Sequence, residues 1–473
     1  MLALEGALGD AVGRSAAKVA DVDARPRAER TRLMIDAGST HSEVDIMLPR
    51  CTARAVAAVR ACLHPLRTFH SVRAFAMYCA AALIVAIALP ARADFGDHLP
   101  GLTENEVTAF DEGQEAFSEI EDVADGLGPV FNDRSCAACH VGPGAAVGGN
   151  TSRVETRFGT LTGTEFDPLI DFGGSLIQDD SIGRGDESLG LPNTPQCAEP
   201  FTFVEETTSV TPANIVAGRR TTPLFGLGLV EAVPDATLIA LAASELQKNA
   251  STAGVVSHVV DPDHPGSPRI GRFGWKAQHA TLHGFSGDAY LNEMGITNPS
   301  FPMENCPQGD CSALACNPVP ELNDDGDDVT KFADFMRLLA APPRGDLAPS
   351  DKEGETRFDK IGCTDCHTPQ LKTGASSISA LNNKTLAPYS DFLLHDMGTL
   401  GDGITQNEAT GRLMRTAPLW GVRVQATLLH DGSALTLTDA IMAHDGQAAA
   451  SRDKFAGLNN TQKNKVLAFL QSL

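Results

Sequence analysis

The sequence predicts a mainly α-helical chain, built from two similar halves around an irregular insert, on three observations. A Cys-x-x-Cys-His run occurs twice, at Cys136, Cys139 and His140 and at Cys363, Cys366 and His367. Each run is followed by a copy of one short segment, Arg220-Thr-Thr-Pro-Leu-Phe-Gly226 and Arg415-Thr-Ala-Pro-Leu-Trp-Gly421. Stretches with apolar residues at helical spacing precede the runs and close the chain. The run is the attachment signature of c-type haem. Two thiols on one turn reach both vinyl groups of one porphyrin, and the adjacent imidazole falls under the iron. The expectation is therefore two cytochrome c-like haem domains with two covalently attached haems, bound through Cys136, Cys139, Cys363 and Cys366. His140 and His367 would be the proximal iron ligands. A zinc ion shared by two Cys-x-x-Cys knuckles is the competing reading. It is disfavoured because each run carries its own histidine and the runs lie far apart.

In chain order, residues 1–93 read as a presequence with an export signal, and Met47 is an alternative start. Phe75–Leu89 is apolar, follows Arg50, Arg54, Arg60, Arg67 and Arg73, and precedes the small-x-small site Ala91-Arg92-Ala93. That run is too short for a comfortable membrane span, so the mature chain is expected to hold no stable one. Residues 94–244 form the expected first haem domain. It opens with a helix over 102–117, Thr103 as N-cap and Val107, Phe110 and Phe117 on one face. Gly126, Gly128 and Pro129 end that stretch before the first run, and a glycine-rich loop follows His140. Residues 245–345 are the insert, with His258, His264, His279 and His283. Its acidic stretch, Asp324, Asp325, Asp327 and Asp328, lacks the full spacing of a calcium loop, so calcium is weakly supported. Ala341-Pro-Pro-Arg-Gly345 reads as a linker. Residues 346–473 form the second haem domain. Ser350 is expected to cap a helix to Lys360, and Thr461 a final helix with Val466, Leu467, Phe469, Leu470 and Leu473 facing a core.

The chain has 473 residues, 42% hydrophobic and only 5% aromatic, which suits domains whose cores are partly filled by macrocycles. Its formal net charge is −23. Beyond residue 93 there remain 25 basic and 52 acidic residues, a surface that disfavours nucleic acid and anionic membranes. A basic electron-donor protein would suit it, although simple solubility explains it as well. Cys197, Cys306, Cys311 and Cys316 are left after the presequence and the haem runs, enough for two disulfides in any of three connectivities.

The residues also resemble a known family. The two runs, Arg-Thr-Thr-Pro-Leu-Phe-Gly, Gly271-Arg-Phe-Gly-Trp-Lys-Ala277, Glu293-Met-Gly-Ile-Thr297, Leu393-Leu-His-Asp-Met-Gly398 and Leu428-Leu-His-Asp-Gly432 are similar to those of the di-haem oxidoreductases, also labelled thiol oxidoreductases. That family stands beside the bacterial di-haem cytochrome c peroxidases and the methylamine-utilisation di-haem enzymes. The resemblance implies an exported, haem-dependent oxidoreductase of the cytochrome c peroxidase type, active in the periplasm. Hydrogen peroxide would be reduced with electrons from a small redox protein. A non-catalytic electron-transfer cytochrome and a haem-based redox sensor are the alternatives. Thiol oxidation has no supporting residue.

In these relatives the second haem takes its distal ligand, methionine or tyrosine, a little over one helix length after His-Asp-Gly. His444 stands there, so matching makes it the third iron ligand, with Met442 and Met397 as rivals. The peroxidases also carry a distal histidine soon after the first run. This chain has none between His140 and His258, which implies an open first haem or a ligand from the insert, where His279 and His283 are candidates. Aligning the two copies places Glu231 opposite His430. Glu231 is accordingly the candidate catalytic proton shuttle, with a salt-bridge partner as the alternative. Arg220 and Arg415 are expected to pair haem propionates, and His430 to contact the cofactor. Trp275 and Trp420 could relay electrons or merely pack.

Overall fold

The computed structural model describes residues 93–182, 213–306, 309, 311–317, 319, 322–346 and 348–473. The expected export signal, Cys51, Cys62, Cys79 and Cys197 lie outside the described residues. Pro90–Leu473 form one compact unit. Among the described residues no helix is long and apolar enough to cross a membrane.

The helices are α1 (Glu104–Ser118), α2 (Cys136–Cys139), α3 (Leu227–Glu231), α4 (Asp235–Lys248), α5 (Leu282–Met294), α6 (Asp327–Leu338), α7 (Pro349–Lys360), α8 (Leu437–Ala443), α9 (Ala449–Ala456) and α10 (Asn460–Gln471). The expectation of a mainly α chain is corrected here, because 35% of the described residues are helical and 15% lie in strands. Strands β1 (Val130–Phe131), β2 (Val154–Thr162), β3 (Glu165–Asp167), β4 (Leu176–Ile177), β5 (Asp180–Ser181) and β6 (Ile215–Arg220) fall between the first run and α3, apart from β1, which precedes it. The pairs β7 (His258–Val259) with β8 (Arg269–Ile270), β9 (Leu371–Lys372) with β10 (Thr385–Leu386), and β11 (Leu394–Asp396) with β12 (Leu413–Arg415) complete the set. The largest sheet is antiparallel, with β2 between β3 and β4 along its length and β6 paired to it from Val154↔Arg220 to Gly159↔Ile215. The physical reason is legible in β2, where Val154, Thr156 and Phe158 alternate with Glu155 and Arg157, a period of two that no helix can use.

One packing unit is built twice. In α1, Thr103 is the N-cap the sequence predicts: its Oγ1 accepts from Glu106 N at 3.3 Å, and the Glu106 carboxylate in turn accepts from Thr103 N at 2.6 Å. Helix α1 then crosses α6, and α7 crosses α10. At each crossing a glycine lets the backbones touch: a Cβ on Gly113 would lie 2.4 Å from Lys331 O, and one on Gly354 2.0 Å from Lys465 O. Each crossing also stacks phenylalanines, with Phe117 and Phe335 centred 5.0 Å apart and Phe358 and Phe469 5.3 Å apart. The same phenylalanine lies 6.0 Å from His140 in the first unit and 6.1 Å from His367 in the second.

The two late caps sit earlier than expected: Ala348 precedes α7, and Asn459 caps α10 through Gln462 N. The acidic stretch serves a helix start. Asp324 accepts from Asp328 N at 3.2 Å, and Lys331 bridges Asp327 at 2.7 Å and Asp328 at 3.1 Å, which leaves calcium without support there. Cys306 and Cys311 form a disulfide.

Because both crossings exclude a Cβ, Gly113→Ala and Gly354→Ala should each destabilise the protein by roughly 1–3 kcal/mol. Gly266→Ala, which meets nothing within 4 Å, should stay within about 0.5 kcal/mol. Equilibrium denaturation of the three variants measures the difference.

Candidate haem sites

Two cavities meet inside the compact unit, one over each run. The first is lined by Cys136, Cys139, His140, Phe117 and Tyr290, together with Arg153, Glu155, Arg157, Asp288 and Glu293. The second is lined by Cys363, Cys366, His367, His395, His430 and His444, with Met397, Arg415, Trp420 and many apolar side chains. Arg220, Thr222, Gly274, Trp275 and Phe285 line both, so the cavities share a wall.

The four run cysteines are free thiols in the two cavities. Burial pushes the Cys139 thiol up to about 11 and Cys363 to about 12, and raises Cys136 and Cys366 as well. Burial also lowers His140 and His367 to about 4, which leaves both imidazoles neutral and able to bind iron.

The second cavity places two imidazoles opposite each other, their planes tilted by 54°. The rings of His367 and His444 are centred 6.5 Å apart. His367 Nδ1 donates to Tyr389 O at 2.9 Å, and His444 Nδ1 donates to Ala440 O at 2.7 Å. Each ring therefore keeps Nε2 free, the arrangement in which ligating histidines are oriented by a carbonyl behind them. His395 stands beside Cys366, with Nδ1 3.4 Å from Sγ and Nε2 2.9 Å from an Asp391 oxygen. Burial works against its charge, but Asp391 outweighs that and holds it well above the usual histidine range. These three could hold a metal ion on distance alone, but the haem attachment expected from the sequence would take Cys366 out of that set.

In the first cavity His140 is the one histidine among the described lining residues. The four histidines of the insert are engaged elsewhere: His258 with Glu408, His264 with Asp261, His279 with Asp288 and His283 with Asp263. Glu231 lines neither cavity. One of its oxygens accepts from Leu282 N at 2.7 Å and the other from Arg337 Nε at 2.8 Å, so it ties α3 to α5 and α6. The hydroxyls of Ser135 and Ser286 line this cavity, buried and without a hydrogen-bond partner.

Arg220 and Arg415 are buried at the cavity walls and hold protein oxygens that carry no charge. Arg220 donates to Gln425 Oε1 at 2.8 Å, and Arg415 donates to Gly274 O at 2.6 Å and Thr416 O at 2.9 Å. Burial lowers each guanidinium to about 10. Among the described residues neither pairs a carboxylate within salt-bridge distance, and two such buried cations fit a ligand that brings anionic groups, as haem propionates do. Trp275 stands in the shared wall, with Nε1 donating to Arg220 O at 2.8 Å and its ring edge-on to His430 at 6.3 Å. Trp420 lines the second cavity only and packs against Gly226.

The segment that carries Trp275 is fixed by a buried ion cluster that the sequence did not announce. Asp402 accepts from Arg219 Nε at 2.8 Å and pairs Lys276 at 2.8 Å, and Lys276 also donates to Leu413 O at 2.7 Å. The three residues come from β6, the insert and the loop before β12. No local pattern links them, so their partnership exists only in the fold. Glu155 and Glu293, likewise distant in sequence, were missed for the same reason.

Two cavities, each with a thiol pair and a neutral buried imidazole, define a protein that holds two haems side by side. The chain belongs to the di-haem oxidoreductase family: the family profile described as "Di-haem oxidoreductase, putative peroxidase" matches residues 205–473. It is an oxidoreductase with haem as its cofactor. No curated protein sequence gives a match. Among solved structures, Kuenenia stuttgartiensis hydrazine synthase is similar at 14% identity and TM-score 0.35, over 80% of this chain and 90% of that one. The diheme peroxidase BthA of Burkholderia thailandensis is similar at 14% identity and TM-score 0.26, over 77% and 86%.

Replacing Asp402 by Ala leaves Arg219 and Lys276 buried without their counter-charge. The expected cost is about 3–5 kcal/mol, read as a lowered denaturation midpoint.

Proposed function

We propose that this protein is an exported peroxidase with two covalently attached c-type haems, reducing hydrogen peroxide with electrons from a small donor protein. The observation that carries this reading is the inequality of the cavities. Two imidazoles bound to one metal through Nε2 would have ring centres roughly 6–6.5 Å apart, given metal–nitrogen bonds near 2 Å. His367 and His444 stand at 6.5 Å, with both Nδ1 atoms committed to carbonyls. Their iron would be bis-histidine, which leaves no free position and lowers the potential relative to a methionine ligand. The first cavity offers one imidazole and a cluster of charged groups, which favours an iron with an open face.

Bound haem supplies the redox chemistry, and the protein supplies placement and charge. His367 and His444 clamp the electron-storing site from both sides. Arg220 and Arg415 would meet the anionic propionates of haem bound in these cavities. Trp275 fills that wall between the two sites and shortens the gap that an electron must cross. His430 sets the edge of Trp275. Glu231 is held by Arg337 and the start of α5, so the proton for peroxide cleavage must come from another group. Export accords with the apolar run before Ala93 and with the two attachment runs, because c-type haem is attached outside the cytoplasmic membrane.

A second reading has its own observation. The thioethers of Met294 and Met336 also line the first cavity, and either bound to iron would make the protein an electron carrier. Electron paramagnetic resonance of the oxidised protein decides between them. One high-spin and one low-spin iron, with cyanide binding only the first, is the expected spectrum. Two low-spin irons, neither of which takes cyanide, would establish the carrier reading instead.

Two variants extend the test. His444→Ala should turn the second haem high-spin and leave the first haem's spectrum unchanged. Cys363→Ala should weaken or abolish the second covalent attachment, so that denaturing mass spectrometry finds fewer than two haems on the chain.

A further inference from the structure

The chain holds three tyrosines, Tyr78, Tyr290 and Tyr389, and the last two fall among the described residues. Tyr290, on α5, lines the first cavity and is buried. Its hydroxyl donates to Glu121 Oε1 at 2.9 Å. Glu121 is buried too, and it lies outside both cavity linings. It follows α1 and is tied to the residue just before the first run. Glu121 N donates to Arg134 O at 2.8 Å, and Arg134 Nε donates to Glu121 O at 2.8 Å. The ring of Tyr290 is therefore in the cavity wall, and its hydroxyl rests on a buried carboxylate behind that wall.

Packing alone does not account for the pair. Phenylalanine would fill the wall as well, and it would need no buried acid, which is costly to keep. Burial lifts Glu121 to about 7 against the lowering effect of the Tyr290 hydrogen bond, and burial raises the phenol as well. The phenol thus stays protonated beside a base that can take one more proton. Rings in contact join the pair to the first site. Tyr290 meets Phe332 edge-on at 5.0 Å, Phe332 meets Phe117 at 6.0 Å, and Phe117 lies 6.0 Å from His140. A phenol that loses an electron becomes a strong acid. Its oxidation inside an apolar wall requires an acceptor already within hydrogen-bond reach, as Glu121 is.

We propose that Tyr290, with Glu121 as its proton acceptor, is a one-electron reservoir for the first haem site, oxidised to a neutral phenoxyl radical when peroxide draws electrons faster than the donor protein supplies them. The proposal rests on the peroxidase reading for its oxidant. Hydrogen peroxide, two protons from solvent and two electrons give two waters. Tyr290 gives one of those electrons and passes its hydroxyl proton to Glu121, and the haem sites give the other electron. One electron from the donor protein then reduces the radical, and Glu121 returns the proton, which restores the O–H bond.

Freeze-quench electron paramagnetic resonance tests this. The oxidised holoprotein, mixed with one equivalent of hydrogen peroxide and no donor, should show an organic radical. Ring-deuterated tyrosine should narrow its hyperfine structure. Tyr290→Phe should abolish the signal with both haems retained. Tyr389→Phe, which removes the phenol that donates to Glu355 at 2.6 Å, should keep it. Glu121→Gln still accepts a hydrogen bond but cannot take the proton, and should slow radical formation by about 10²–10⁴-fold. Glu121→Asp should restore part of that loss. A radical that persists in Tyr290→Phe, or haems that react with peroxide and yield no radical, overturns the proposal. If Tyr290→Phe does not accumulate, Tyr389→Phe decides, because Tyr290 is then the sole tyrosine beyond residue 93. A deuterium-sensitive tyrosine signal there supports the reservoir, and its absence overturns it. If the haems do not react with peroxide, the peroxidase reading fails, and a photogenerated ruthenium(III) complex replaces peroxide as oxidant. The same signal, lost in Tyr290→Phe, then keeps the tyrosine site, and its absence overturns that site as well. Peroxide turnover without the radical keeps the peroxidase reading and sinks the reservoir.

Discussion

Everything that joins the two haem sites depends on the Asp402 cluster. Asp402 holds Arg219 and Lys276, and all three side chains are at most 2% exposed. Burying three charges is costly, and it is tolerated only where geometry and additional hydrogen bonds satisfy every group. Here Lys276 spends its remaining donors on Thr410 O and Leu413 O, and Arg219 reaches Gln406. The cluster thereby fixes three segments that the chain brings from far apart. Trp275, the neighbour of Lys276, is held against Arg220 O as a consequence. Arg415 N donates to Trp275 O at 2.9 Å, and Arg220 N to His430 O at 2.6 Å, so each copy of the duplicated segment is tied to the same wall.

The duplication is real in the backbone and incomplete in the chemistry. Gly226 and Gly421 close the two copies at φ +75° and +73°, a left-handed conformation that glycine alone adopts without strain. Each then leads into a short helix. The crossing of α1 with α6 repeats that of α7 with α10, down to the glycine and the phenylalanines. What differs is the element after the copy. In the second, α8 ends at His444 and delivers an imidazole into the cavity. In the first, Glu231 caps α5, and Glu245 on α4 binds Gly254 N at 3.0 Å outside either cavity. The first copy has thus put its ligand-bearing positions into the packing of the insert.

The chemistry was more legible in the sequence than the architecture. Cys-x-x-Cys-His is a local pattern, and local patterns survive translation into structure: both runs sit on single turns with their histidines half-buried at a cavity. The α1 cap and its buried Phe110 and Phe117 were readable for the same reason. His444 was reached only through resemblance, because nothing around it marks a ligand. The strands escaped notice although β2 alternates plainly, because the glycines after His140 point to loop throughout that stretch. Glu231 was drawn from an alignment of the copies, and the fold gives its carboxylate a neighbour, Arg337, that the alignment could not supply. The Asp402 cluster could not be read at all, because it joins residues far apart along the chain.

The two cavities differ in the property that separates storing an electron from using one. A site that only stores needs its charge to change with little rearrangement. The second cavity meets that need with two fixed imidazoles, apolar walls and cations placed to meet an anionic ligand. A site that breaks an O–O bond must also move protons, and protons require groups whose charge changes at working pH. Such groups are expensive in an apolar pocket, and they persist only where their neighbours divide the cost. In the first cavity Arg157 pairs Glu155, and Asp288 and Glu293 stand in the same lining. Under the peroxidase reading proposed above, that charged lining on one side of Trp275 and the opposed imidazoles on the other are the argument for assigning reaction to the first site and storage to the second.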